Sequence, residues 1–306
     1  MTTPPVVYRH FLGDSTRWNG FRFRPDDIVI STPAKCGTTW TQMICALLVF
    51  RSPSLPGDLA TISPWLDMLT RPLDDVLGDL ERQTHRRFIK THTPLDGLPY
   101  DERVTYICVG RDPRDVALSR DNHQTNANTA VVLKARNAVT GADGAPAVNE
   151  TPDERPASPV DRFWVWVDET TPPTQSPSTL WKTLHHLNTF WAVRDLPNVV
   201  LLHYADLRAD LDGQMRSVAA RLGIPVDEET WPDLVRAATL DSMRANSARL
   251  APDAASGFWH DSRQFFHRGT MGQWRELLDD KDLERYQRRV AELVPADLAA
   301  WVHHAA

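Results

Sequence analysis

Basic and imidazole side chains recur in this chain where short apolar runs end. Lys35 comes shortly after Ile28-Val29-Ile30, Lys90 and His92 close Arg86–Thr91 (RRFIKT), and Arg111 follows Val104–Val109 (VTYICV). A histidine titrating near neutrality suits removal of a proton from a hydroxyl, and lysines stabilise charge that builds on a departing oxygen. These residue types fit transfer of an anionic group to a hydroxyl acceptor.

Asp27–Phe50 (DIVISTPAKCGTTWTQMICALLVF) shows how the first of them is positioned. Ile28, Val29 and Ile30 read as a buried strand. Pro33 stops it, Gly37 supplies a tight turn, and a helix fits from Thr38, with Thr38 or Thr39 as its cap. Helix-start N–H groups and the positive dipole end converge beside Lys35, a geometry for a phosphate or another anion. The Walker spacing G-x-x-x-x-G-K-[ST] is not met, because Lys35 precedes Cys36-Gly37-Thr38-Thr39 and the first glycine is missing. A cysteine-based phosphatase loop fails too, since Gln42 stands where an arginine is required.

Stepping outward, Trp65–Leu69 and Leu73–Arg82 read as helices, and Arg86–Thr91, Val104–Val109 and Val199–Tyr204 as strands. Asp112 caps a helix begun by Pro113, and helices are predicted over Leu180–Leu196, Asp206–Gly223 and Glu229–Asn246, with a helical, charged C-terminal remainder. Strand and helix alternate, so the fold class is α/β: one domain, residues 1–306, with a central parallel sheet flanked by helices. Residues 126–180 include Thr140–Pro159, rich in Pro, Gly, Ala and acids, and read as a variable insertion or acceptor-site lid. Ligands of open α/β sheets sit beyond the carboxyl ends of the strands, where Lys35, His92 and Arg111 can share one crevice.

The 306 residues are 42% hydrophobic and 24% charged, with a net charge of −6. That balance is globular and argues against nonspecific nucleic-acid binding. Cys36, Cys45 and Cys108 lie in or beside core elements and suit a reducing compartment. The N-terminus lacks the apolar core of a signal peptide, and no apolar run reaches the ~18 residues of a membrane span, so a cytoplasmic location is expected. No Cys/His spacing marks a zinc site, and no metal is expected to be required.

The motifs, taken together and in order, resemble the cytosolic-type sulfotransferase family, which uses 3′-phosphoadenylyl sulfate (PAPS) and releases 3′-phosphoadenosine 5′-phosphate (PAP). The family's P-K-S-G-T-T-W is similar to Pro33-Ala34-Lys35-Cys36-Gly37-Thr38-Thr39-Trp40, and K-T-H-x-P to Lys90-Thr91-His92-Thr93-Pro94. R-x-x-x-D-V-x-x-S matches Arg111 through Ser119, and R-K-G-x-x-G-x-W matches His267-Arg268-Gly269-Thr270-Met271-Gly272-Gln273-Trp274. The resemblance implies a P-loop-like loop in which Lys35, Gly37, Thr38 and Thr39 bind the 5′-phosphosulfate. It implies Trp40 and Tyr204 at the adenine, Arg111 and Ser119 at the 3′-phosphate, and Arg268 and Gly269 closing over that phosphate. His92 becomes the base, and Lys35 and Lys90 the groups that stabilise the transition state. The acceptor is a small molecule bearing a hydroxyl (a phenol, sterol, sugar or glycolipid).

Three positions and one stretch depart from that pattern. Cys36 replaces serine, His267 replaces arginine, and Leu240 stands where an aromatic is expected on adenine's other face. The family's dimerisation stretch is not visible after Trp274, which leaves monomer and homo-oligomer both open. His123, His185 and His186 are read as surface or acceptor-pocket residues, and the Trp164, Trp166, Trp181 and Trp191 set chiefly as core. An ATP-dependent P-loop kinase and a non-catalytic nucleotide-binding relative are the alternatives.

Overall fold

The computed structural model describes residues 5–141, 155–266 and 269–304. A two-residue pair of strands, β1 (Arg9–His10) and β2 (Gly13–Asp14), opens the chain. The central sheet holds β3 (Ile28–Ser31), β4 (Phe88–Thr91), β5 (Thr105–Gly110) and β6 (Val199–His203), all parallel, in the order β4-β3-β5-β6. Helices α1 (Thr38–Phe50), α2 (Leu59–Ile62) and α3 (Leu73–Arg82) join β3 to β4. Helices α4 (Pro113–Asn126), α5 (Thr129–Thr140), α6 (Pro159–Asp168) and α7 (Leu180–Trp191) lie between β5 and β6. After β6 come α8 (Tyr204–Ala209), α9 (Leu211–Leu222), α10 (Trp231–Ala237), α11 (Leu240–Ala245), α12 (Ser247–Leu250), α13 (Ser262–Phe265), α14 (Asp280–Leu293) and α15 (Ala296–Val302).

The strands read as near-continuous apolar runs because helices cover both faces of the sheet. Alternate residues part to opposite sides. Val29, Ile89, Tyr106 and Cys108 pack with Leu80, Val116, Trp166, Leu184 and Leu187. Ile28, Ile30, Phe88, Ile107 and Val109 pack with Ile44, Leu47, Leu48, Val218 and Leu234. Each such side chain contributes about 1.5–3 kcal/mol on full burial, which holds the strand ends, and the loops on them, in fixed places. At the amino end of β3, the Arg87 guanidinium is paired with the Asp27 carboxylate, both side chains 2% exposed.

The chain steps from β3 to β4 on one side and then to β5 on the other. The crevice between the carboxyl ends of β3 and β5 is therefore the topological switch point of the sheet, where α/β folds bind ligands. Lys35 lies in the loop after β3, and Arg111 directly follows β5.

Several element boundaries differ from the sequence reading. Trp65–Leu69 is not a helix but a turn bridged to Lys90 and Gly13. The Asp67 carboxylate dictates this, accepting from Trp18 Nε1 and from the hydroxyls of Thr91 and Thr93. Asp206–Gly223 is two helices, because the Asp210 side chain accepts from Gly213 N and starts α9 afresh. Glu229–Asn246 also divides, at Thr239, which caps α11. Within 126–180, helix α6 buries Phe163 and Trp166 in the core, each 2% exposed. Most of Thr140–Pro159 lies outside the described residues. No helix among the described residues is long and apolar enough to cross a membrane.

Candidate active site

The loop after β3 gets its shape from two left-handed residues. Lys35 has φ 69° and Gly37 φ 102°. Gly37 is the N-cap of α1, and neither Thr38 nor Thr39 caps the helix, contrary to expectation. Thr38 Oγ1 instead pairs with Thr32 Oγ1 at 2.5 Å, binding the loop's two ends together. Among the described residues no side chain satisfies the first N–H groups of α1, so the helix start keeps its capacity for an anion. A Cβ on Gly37 would lie 3.2 Å from the Tyr204 ring, so glycine also permits that close approach. Cys36 is fully buried in the apolar cluster, and burial pushes its thiol up to about 12. It is a packing residue.

Arg111 ties this loop to the Thr270 segment and to α8. Its Nη1 donates to Lys35 O at 3.0 Å and its Nη2 to Thr270 O at 3.4 Å, while the guanidinium lies 4.3 Å from the Tyr204 ring centroid. The side chain is buried, yet its Nε has no hydrogen-bond partner among the described residues. A buried, unpaired guanidinium N–H is a costly feature that an anionic ligand can relieve. Tyr204 also meets Trp40 edge-on, with centroids 5.4 Å apart, and Trp40 Nε1 donates to Ala238 O at 2.8 Å. Gly269 (φ 60°) closes this side: a Cβ there would sit 2.5 Å from Leu240 Cδ2 and 3.6 Å from Tyr204 Oη. Ser119 lies on the face of α4 shared by Asp115 and His123, one turn to either side. The Asp115 carboxylate accepts from Gly272 N at 2.9 Å, which brings the late glycine loop to α4. Arg268 and His267 lie outside the described residues.

The second strand end carries Lys90 and His92. His92 Nδ1 is 2.7 Å from Thr32 O. A carbonyl only accepts, so Nδ1 carries the proton and Nε2 keeps its lone pair. Burial first, then the Lys90 charge, pushes His92 down to about 3, so at neutral pH the ring is uncharged. The Trp65 ring packs edge-on against His92 at 4.7 Å and lies 4.2 Å from Lys90 Nζ. Burial pushes Lys35 down to about 7, with Arg111 and Lys90 adding repulsion. Burial likewise lowers Lys90 to about 8, opposed by Asp253 and Asp67. Lys35, Lys90, His92 and Arg111 therefore share one electrostatic neighbourhood at the carboxyl end of the sheet.

One contact was not foreseen. Lys35 Nζ is 3.0 Å from His123 Nδ1, and the His123 ring packs against Trp259 and Phe265, with centroids 4.8 and 5.9 Å away. Asn126 at the end of α4 holds the Trp259 segment in place, donating from Nδ2 to Asp261 O and accepting at Oδ1 from Asp261 N. The spacing Ser119–His123 put the histidine on the site face of α4, and that was the available signal. His186 is fully buried, not a surface residue. Among the described residues, no group of three or more His, Cys, Asp or Glu side chains could hold a metal ion.

A family model described as the sulfotransferase domain matches residues 25–296. A glycolipid sulfotransferase of Mycobacterium tuberculosis is 44% identical over 314 aligned residues, covering 98% of this chain and 95% of that protein. An amine sulfotransferase of Oryctolagus cuniculus is 23% identical, covering 88% of this chain and 80% of that one. Among solved structures, retinol dehydratase in complex with retinol and PAP superposes with a TM-score of 0.67 at 21% identity, covering 92% of this chain and 84% of its own. A mouse sulfotransferase complexed with PAP gives 0.66 at 18%, covering 92% and 88%. At such identities the solved structures speak for the fold, and the family match and the mycobacterial relative for the activity. The chain belongs to the sulfotransferase family.

Proposed function

We propose that this sulfotransferase moves the sulfuryl group of PAPS to a hydroxyl of a glycolipid or another small acceptor by in-line displacement. The observation that carries the reading is the meeting of an uncapped helix start, Lys35, Lys90, His92 and Arg111 at the switch point of the sheet. The acceptor oxygen attacks sulfur, its proton passes to His92 Nε2, and the bond from sulfur to the bridging phosphate oxygen breaks. Negative charge grows on that bridging oxygen, where Lys35 and Lys90 stabilise it. The pair supplies compensation for a transferred group of single negative charge, and no metal is invoked.

The nucleotide fits the residues present. Gly37, Thr38 and Thr39 offer N–H groups to the 5′-phosphate end, and Arg111, with its unpartnered Nε, suits the 3′-phosphate together with Ser119, Gly269 and Arg268. Trp40 and Tyr204 form an aromatic corner for the adenine, with Leu240 opposite supplying apolar contact in place of stacking. The glycolipid acceptor rests on the mycobacterial relative. The test is transfer of labelled sulfate from PAPS by the purified protein into extracted lipids. A labelled glycolipid supports the reading. Magnesium-dependent ATP turnover without sulfate transfer overturns it in favour of a kinase, and tight PAP binding without transfer to any acceptor favours a non-catalytic relative.

A further inference from the structure

Behind His92, helix α7 presents two buried polar atoms that no group among the described residues satisfies. Lys182 is 4% exposed and His186 fully buried, and neither Lys182 Nζ nor His186 Nδ1 has a hydrogen-bond partner. They are four residues apart on one helix, so their side chains are neighbours on one face, with Cβ atoms roughly 6 Å apart. Native proteins seldom leave such atoms unpaired, because a buried donor or acceptor without a partner loses its hydration with nothing in return.

The hydrogen bonds fix what each atom needs. Ser31 Oγ donates its one proton to Thr93 O at 2.6 Å. It must then accept from His186 Nε2 at 3.0 Å, which leaves His186 Nδ1 a bare lone pair in a neutral ring. Burial, first, and the nearby Lys182 charge hold that ring neutral. Burial lowers Lys182 to about 7, and its Nζ, 3.8 Å from the Tyr8 ring centroid, has protons to give in either charge state. Tyr8 Oη is engaged by Asp96 at 2.7 Å and His185 at 2.6 Å, and Lys182 Nζ lies over the Tyr8 ring rather than at that oxygen. A missing donor and a missing acceptor thus stand side by side.

The pair lies next to the reaction point. His186 is anchored on Ser31 and His92 on the carbonyl of Thr32, consecutive residues at the end of β3. Thr93, which receives the Ser31 proton, directly follows His92.

We propose that Lys182 and His186 form an acceptor subsite for a second hydroxyl, adjacent to the one sulfated, so that the acceptor is a polyhydroxylated sugar head group. A hydroxyl both donates and accepts, and a vicinal diol satisfies the two atoms together. A carboxylate would answer Lys182 but face the His186 lone pair. The ring of a sterol or simple phenol would leave both unpaired. This rests on the sulfotransferase reading above and narrows its acceptor class.

The test uses the purified full chain, PAPS with labelled sulfate, and octyl gluco-, galacto- and mannosides beside their monodeoxy analogues, with 2-naphthol as an apolar phenol. At least one glycoside should be sulfated, and removing the neighbouring hydroxyl should lower kcat/KM by about 10- to 100-fold. Lys182→Met should erase most of that ratio while PAP affinity is retained. His186→Gln keeps an N–H for Ser31 but no acceptor at Nδ1, so it should reduce the ratio in a folded protein even if the lysine variant misfolds. Deoxy analogues as good as the parents, or variants that leave the ratio intact, overturn the subsite. Sulfation of 2-naphthol with every glycoside inert overturns it while the sulfotransferase reading stands. No transfer to any acceptor removes both.

Discussion

The side chain of Lys35 donates to Nδ1 of His123 across 3.0 Å, and the same ammonium lies 5.1 Å from the Phe265 ring centroid. In the free protein the lysine assigned to the leaving phosphate is thus held toward α4 and α13. Reaching a nucleotide requires giving up that bond, whose net worth is about 0.5–1.5 kcal/mol. His123→Leu is accordingly expected to tighten PAP binding by about 2- to 10-fold, measured by calorimetry. A fall in affinity would instead make His123 a nucleotide contact.

His92 has its proton on Nδ1 and a free Nε2, the arrangement a base requires. His92→Ala should lower kcat by about 10²–10⁴-fold while PAP affinity changes little. Single-turnover transfer with saturating PAPS separates the two quantities. Full activity in this variant would remove His92 from the chemistry.

Arg111 braces the Lys35 carbonyl as well as offering its Nε, so loss of binding alone would not assign its role. The diagnostic is a ratio. Arg111→Ala should weaken PAP by about 10- to 100-fold but leave adenosine 5′-phosphate, which lacks the 3′-phosphate, nearly unaffected. Equal loss for both ligands would mean that Arg111 acts only through the loop.

What the sequence disclosed and what it hid divide along physical lines. The β3–loop–α1 unit was legible because its signals are local: β-branched residues, Pro33, Gly37 and a helix apolar nearly all round. The placing of Lys35, His92 and Arg111 at one sheet edge followed from strand–helix alternation alone. The cap of α1 was misread because Thr38 finds a tertiary partner in Thr32, a pairing no local rule supplies. Trp65–Leu69 was misread for the same reason, Asp67 being recruited by residues as distant in sequence as Trp18 and Thr93. The Asp210 break was local and readable, since an aspartate three residues before a glycine N–H is a helix start. The unpaired atoms of Lys182 and His186 had no sequence signal, because being unpaired is a property of the packed fold.

The lysines give the last prediction. Burial leaves Lys35 at about 7 and Lys90 at about 8 in the free protein, so near pH 8 Lys35 is mostly neutral and Lys90 about half charged. An anionic nucleotide favours the protonated forms and raises both values on binding. Binding near pH 8 should therefore take up about one proton or slightly more per PAP, and affinity should fall as pH rises from about 7 through the raised values. At pH 6, where both lysines are already charged, uptake by them should vanish. Calorimetry in two buffers of different ionisation enthalpy measures the proton count directly. Lys35→Met should remove the larger part of the uptake at pH 8. An unchanged count in that variant would show that the proton enters elsewhere and that Lys35 is not the group facing the phosphosulfate.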